Sequence, residues 1–112
     1  MTLQERIQRI IKLLDEKKAE NIESFNLSDS GYFVDAVVIA TTLASKHALA
    51  LTDHLRVGLK ESGETIYHTD DADEWTILDL GDIIVHLMSE EHRKKYNLEE
   101  FLTSFAQKRQ QR

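Results

Sequence analysis

The sequence predicts an α/β (α+β) fold, a mixed β-sheet of about five strands with helices largely on one face. Three observations carry this. Ala36 to Ala40 is a continuous apolar run, the mark of a strand buried on both faces. Glu74 to Met88 alternates on either side of Gly81-Asp82, the pattern of a hairpin. Two stretches, near the N-terminus and over 46–62, repeat apolar residues at helical spacing.

The elements follow in chain order. Thr2 to about Lys18 is an amphipathic helix: Leu3, Ile7, Ile10, Ile11 and Leu14 share a face, and Thr2 with Glu5 has capping-box spacing. Asn21 to Leu27 is a short strand, and Ser28-Asp29-Ser30-Gly31 is a turn cluster. Asp35 to Thr41 is the buried strand. Ser45 is placed to cap a helix over Lys46 to Ser62 with the apolar stripe Ala48, Leu51, Leu55 and Leu59. Gly58 lies inside this helix at a cost of ~1 kcal/mol relative to Ala, so the helix either packs closely there or frays. Gly63 is a natural stop. Thr65 to His68 reads as a brief strand and the acidic Asp70-Asp71-Ala72-Asp73 as a loop. Glu74 to Leu80 and Ile83 to Met88 form the hairpin, with Gly81 at the first central position of a type II′ turn. Glu90 to Tyr96 is a short charged helix. Asn97 with Glu100 has capping spacing before a last helix with Leu98, Phe101, Leu102 and Phe105 on one side. The domain is expected over 1–106, with 107–112 a polar, frayed tail.

Composition narrows the function. The 112 residues suit one domain, and 41% hydrophobic with 30% charged residues is the profile of a soluble globular chain. There is no cysteine, which excludes disulfides and thiolate metal sites and fits a reducing compartment. No apolar run approaches the roughly 18 residues of a membrane span, and the N-terminus resembles neither a signal nor a transit peptide. The expected address is the cytoplasm. The net charge is −6, and from Glu61 to Glu91 there are ten acids and no Lys or Arg. That half suits little or no direct nucleic-acid contact, since phosphates need facing cations. It suits a basic protein partner, or serves solubility alone.

Catalytic patterns are scarce. His47 and His54 lie seven apart on roughly one helical face, but no H-E-x-x-H or comparable ligand set occurs, so no metal is expected. Gly-rich phosphate loops and nucleophile elbows are absent, so no cofactor and no catalytic residue is assigned. Asp71 and Asp73 could hold magnesium only with a substrate's phosphates, and no cradle for those is in view.

The hairpin is more informative. Alternation puts Trp75, Ile77 and Asp79 on one face and Thr76, Leu78 and Leu80 on the other. Ile83, Val85 and Leu87 join the second set as the core side; Ile84, His86 and Met88 join the first. A face bearing Trp75, His86 and Met88 has the composition of a protein-binding patch. It is equally ordinary core if the C-terminal helix covers it.

At this point a family resemblance enters. DAVVIAT (Asp35 to Thr41), Ser45-Lys46-His47, Thr52-Asp53-His54 and EWTILDLGDIIVHLMSEEHRKKYNLEEFL resemble the ribosomal silencing factor family, also called Iojap-like. The specific block is Trp75, Asp79-Leu80-Gly81-Asp82, Val85-His86, the spacing Glu91, Arg93, Tyr96, and Leu98-Glu99. The resemblance implies a nucleotidyltransferase-like fold without an active site, and a protein that is not an enzyme. It implies binding to the large ribosomal subunit through its protein number fourteen, a block on joining of the small subunit, and lowered translation when nutrients are scarce. Large-subunit assembly is an alternative role, and a homodimer when free is also implied. A divergent nucleotidyltransferase using Asp71, Asp73 or Asp79 with magnesium is the remaining alternative. The residues expected to meet the partner are Trp75 and Met88 as anchors, Asp79, Asp82 and Glu91 opposite basic groups, His86 on the same face, and Tyr96 at the rim. Asp82 serves equally as a turn residue. The chain departs from relatives at Thr41-Thr42, at Lys46, in the loop before Trp75, which lacks a glycine, and at Phe101.

Overall fold

The computed structural model describes residues 1–72 and 74–110. Five strands form one sheet in the order β1-β2-β5-β4-β3: β1 Glu20–Asn26, β2 Ala36–Thr42, β3 His68–Ala72, β4 Trp75–Asp79 and β5 Ile83–Ser89. Four helices accompany them: α1 Leu3–Glu16, α2 Ser45–Glu61, α3 Glu90–Tyr96 and α4 Leu98–Gln110. The sheet is mixed, because β2 and β5 pair parallel and the other neighbours antiparallel. β2 and β5 lie in its interior, and every residue of β2 is buried, as its apolar run requires.

One face of the sheet carries the main core. Ile7, Ile10, Leu13 and Leu14 of α1 and Leu51, Leu55 and Leu59 of α2 pack on Ala36, Val38, Ala40, Leu78, Ile83, Val85 and Leu87. Of the two outcomes open for Gly58, close packing is the one found. A Cβ there would stand 2.5 Å from Leu13 Cδ2, so glycine lets α1 and α2 approach this closely with the Leu13 side chain in place. Thr2 and Glu5 form the expected capping box. Arg6 on α1 donates to both Glu64 oxygens (2.7 and 2.8 Å) and both Asp82 oxygens (2.6 and 2.8 Å), tying α1 to the segment before β3 and to the β4–β5 turn. His47 and His54 tie α2 to the end of α1, through the Lys17 carbonyl at 2.8 Å and Glu16 Oε1 at 2.9 Å.

Several expectations are corrected. The acidic stretch read as a loop is the edge strand β3, displaced from the expected Thr65 to His68; Ala72 pairs with Trp75 and His68 with Asp79. Its backbone pairs with β4 although its side chains are polar, and acids are poor strand formers. Ser45 does not cap α2: Ala44 holds that position, and His47 Nδ1 accepts from the Leu43 N–H at 3.0 Å. Asn97 caps the end of α3 in the left-handed region (φ +47°) while its side chain donates to Glu100. α4 continues to Gln110, beyond the expected domain end; positions 111–112 of the tail lie outside the described residues, as does Asp73. The helices are also less one-sided than expected. α4 sets Leu102 on the opposite sheet face, in a second core with Leu27, Val34, Val37, Ile39 and Met88.

Candidate functional site

The second face of the sheet divides into a covered and an open part. α4 and the segment around Val34 cover Val37, Ile39 and Met88, which are buried. Trp75, Ile77 and Asp79 on β4, and Ile84 and His86 on β5, remain half-buried. Cross-strand neighbours share a face, so His68 and Asp70 of β3, opposite Asp79 and Ile77, extend this surface to the sheet edge.

At the end where β4 begins, aromatic rings gather. Trp75 Nε1 donates to His86 Nδ1 at 3.0 Å, across two strands. The Trp75 ring lies 5.0 Å from Tyr96 and 6.4 Å from His92, both on α3. His92 and Tyr96 stack at 5.9 Å, and Lys95 Nζ stands 5.5 Å from the Tyr96 ring. Burial lowers the His86 pKa to about 4, because the ring loses water without a facing anion. His86 is therefore neutral near pH 7, as its acceptor role toward Trp75 requires. Tyr96 keeps 48% of its surface exposed, and Glu91 is exposed in the first turn of α3. Asp79 Oδ1 accepts from the Gly81 N–H at 2.8 Å, which fixes the turn and holds the carboxylate on the open face. Gly81 has φ +90°, as the first central residue of a type II′ turn needs.

Trp75, Asp79, His86 and Tyr96 thus stand on the open face or its rim, while Glu91 is exposed on α3 with no contact to the aromatic cluster among the described residues. Two further expected contact residues do not stand there. Met88 is fully buried with α4 over it, because pairing with Trp75 at the end of β5 puts it in the second core. It packs beside Trp75 on the covered part of the same face. Asp82 meets a basic group of its own chain, the Arg6 guanidinium, which also lowers its pKa.

The same geometry bears on catalysis. Asp71 pairs with Thr76 and accepts from its hydroxyl at 3.2 Å on the helix-covered side of the sheet, whereas Asp79 lies on the open side. These two carboxylates cannot share a magnesium ion. Among the described residues no group of three or more His, Asp or Glu could hold a metal ion, and no helix is long and apolar enough to cross a membrane.

Comparison with known proteins decides what kind of chain this is. A family model described as "Ribosomal silencing factor during starvation" matches residues 1–112. The chain belongs to the ribosomal silencing factor family. A silencing factor from Halalkalibacterium halodurans is 30% identical over 101 residues, covering 88% of this chain and 86% of that protein. A mouse protein named "Mitochondrial assembly of ribosomal large subunit protein 1" is 26% identical over 102 residues, covering 87% of this chain and 45% of that protein. A crystal structure of a Chromobacterium violaceum protein superposes with a TM-score of 0.85 at 28% identity, over 92% of this chain and 88% of that one. Membership accounts for the block from Trp75 to Glu99: in this silencing-factor fold it builds the hairpin, α3 and the open aromatic face together.

Two residues central to the site's construction escape sequence reasoning. Arg6 and Arg93 each hold several partners distant in sequence. Arg93 belongs to the motif spacing, but nothing local in the sequence gives its partners.

Proposed function

We propose that this chain binds the large ribosomal subunit through its protein number fourteen and sterically blocks the small subunit, lowering translation under nutrient limitation. It acts in the cytoplasm as a binding protein and not as an enzyme. The observation that carries the reading is the half-open Trp75–Tyr96 cluster, flanked on the open face by Asp70 and Asp79, with Glu91 exposed on α3, in a chain of the silencing-factor family. Aromatic side chains at a patch centre supply most of an interface's affinity. A surrounding acidic field selects a basic partner and speeds encounter. Trp75 and Tyr96 are the anchors, Asp79 and Glu91 face basic groups, and His86 holds the Trp75 indole at a fixed angle.

The test is co-sedimentation of purified large subunits with Trp75→Ala and Tyr96→Ala, each first shown to be folded by circular dichroism. Trp75→Ala should weaken binding by ~2 kcal/mol or more, about thirtyfold. Unchanged co-sedimentation of both folded variants refutes the face. The name of the mouse relative favours a second reading, in which the chain rides on immature large subunits during assembly. Comparing precursor and mature subunits for bound protein separates the two.

A further inference from the structure

α3 carries half of the proposed docking surface, yet it has no buried residue of its own. It spans only seven residues, far too short to hold a helix in water unaided. Apolar burial therefore does not seat it. Ser89 Oγ accepts from the His92 N–H at 3.1 Å and Asn97 closes the other end, but these caps act within the helix and do not themselves fix its angle to the sheet.

Besides the ring contacts with Trp75 and the His92–Glu74 pair at 4.0 Å, the ties that hold α3 to the sheet converge on Arg93. Its side chain is only 10% exposed, and its fork spreads over three other elements. Nη1 donates to the Asn21 carbonyl and to Thr41 Oγ1 (2.8 Å), on β1 and β2. Nη2 donates to Glu23 at 3.1 Å on β1, and Nε to Glu99 at 2.6 Å on α4. A planar guanidinium donating along several directions is a rigid bracket; a lysine ammonium in its place could not reach all four acceptors. Tyr96 follows Arg93 by almost one turn and lies against Trp75.

We propose that Arg93 is a positioning residue of the docking surface. It fixes the angle at which α3 presents His92 and Tyr96 beside Trp75, without touching the partner. The inference rests on the reading of the Trp75–Tyr96 face as the docking face.

The test uses the full chain with Arg93→Ala, Arg93→Lys, and the double variant Glu23→Ala with Glu99→Ala. Lys94→Ala, which breaks only an exposed pair with Glu90, is the control. Trp75 is the only tryptophan, so its emission and acrylamide quenching report the seat of α3 with no ribosome present. Co-sedimentation with large subunits reports docking. Arg93→Ala should shift emission to the red, expose Trp75 to acrylamide and weaken docking about tenfold or more. Arg93→Lys should recover only part of each, and Lys94→Ala should change neither. Wild-type emission and quenching in folded Arg93→Ala overturns the positioning role; should that variant unfold, the same result in the double carboxylate variant does so. Displaced emission with undiminished docking overturns the proposal; Trp75→Ala then tells which part failed, since wild-type binding by it removes the face and lost binding removes only the role of Arg93.

Discussion

Acidification should weaken the fold through one residue, His86. Its pKa is about 4 in the folded chain and 6.5 ordinarily. Between those values the unfolded chain binds a proton that the folded chain refuses. Stability therefore rises with pH across this window, is fully present above 6.5, and is lost as pH falls toward 4. At 1.36 kcal/mol per unit the full shift would supply a little over 3 kcal/mol. The ring is not wholly enclosed, and solvent reduces this to about 2 kcal/mol. Geometry agrees with the sign: His86 Nδ1 accepts the Trp75 indole proton at 3.0 Å, and a protonated Nδ1 cannot. Urea unfolding of wild type and His86→Gln, followed by far-ultraviolet circular dichroism from about pH 7.5 to 4.5, isolates the effect. Asp82 and Glu16 also have lowered pKa values and lose stability in acid, but they do so equally in both proteins. Wild type should lose about 2 kcal/mol more than His86→Gln across this range. Parallel pH profiles for the two proteins would refute the reasoning.

Two further substitutions test the packing. Gly58→Ala gains ~1 kcal/mol of helix propensity but drives a methyl into the Leu13 side chain, so a net loss of about 0–2 kcal/mol is expected in urea unfolding. Adding Leu13→Ala should turn the Gly58→Ala step from destabilising to neutral or favourable. Met88→Ala should lower stability by about 2–5 kcal/mol, because Met88 is fully buried. Its folded fraction should still dock within a few-fold of wild type; a much larger loss would make Met88 a contact residue.

Much of the architecture was legible where side-chain pattern and backbone pairing agree. The apolar run of β2 marked an interior strand. The hairpin's alternation separated Leu78, Ile83, Val85 and Leu87 from Trp75, Asp79 and His86, and Gly81-Asp82 marked the turn between. β3 was not legible, because an edge strand needs only backbone partners and its acids imitate a loop. Alternation placed Met88 correctly with Trp75 and His86, but it says nothing of what lies above a face. α4 returns over only part of this one, burying Met88 and leaving His86 and Ile77 half-open. Asp82 and Arg93 were hidden for another reason. Their partners sit on elements far away in the chain, and spacing rules reach only to neighbours on one helix or strand.

The parallel pairing of β2 with β5 has a consequence for how the chain acquires its shape. α1, β1, β2 and α2 are all made before Ile83, yet until β5 arrives the inner edge of β2 has no hydrogen-bonding neighbour. Arg6 likewise waits for Glu64 and Asp82. Such distant pairings delay folding, since loop closure precedes the contacts that reward it. During synthesis the N-terminal elements alone cannot complete the sheet. A member of a family named for silencing ribosomes completes its sheet only once β5 has emerged from the ribosome that makes it.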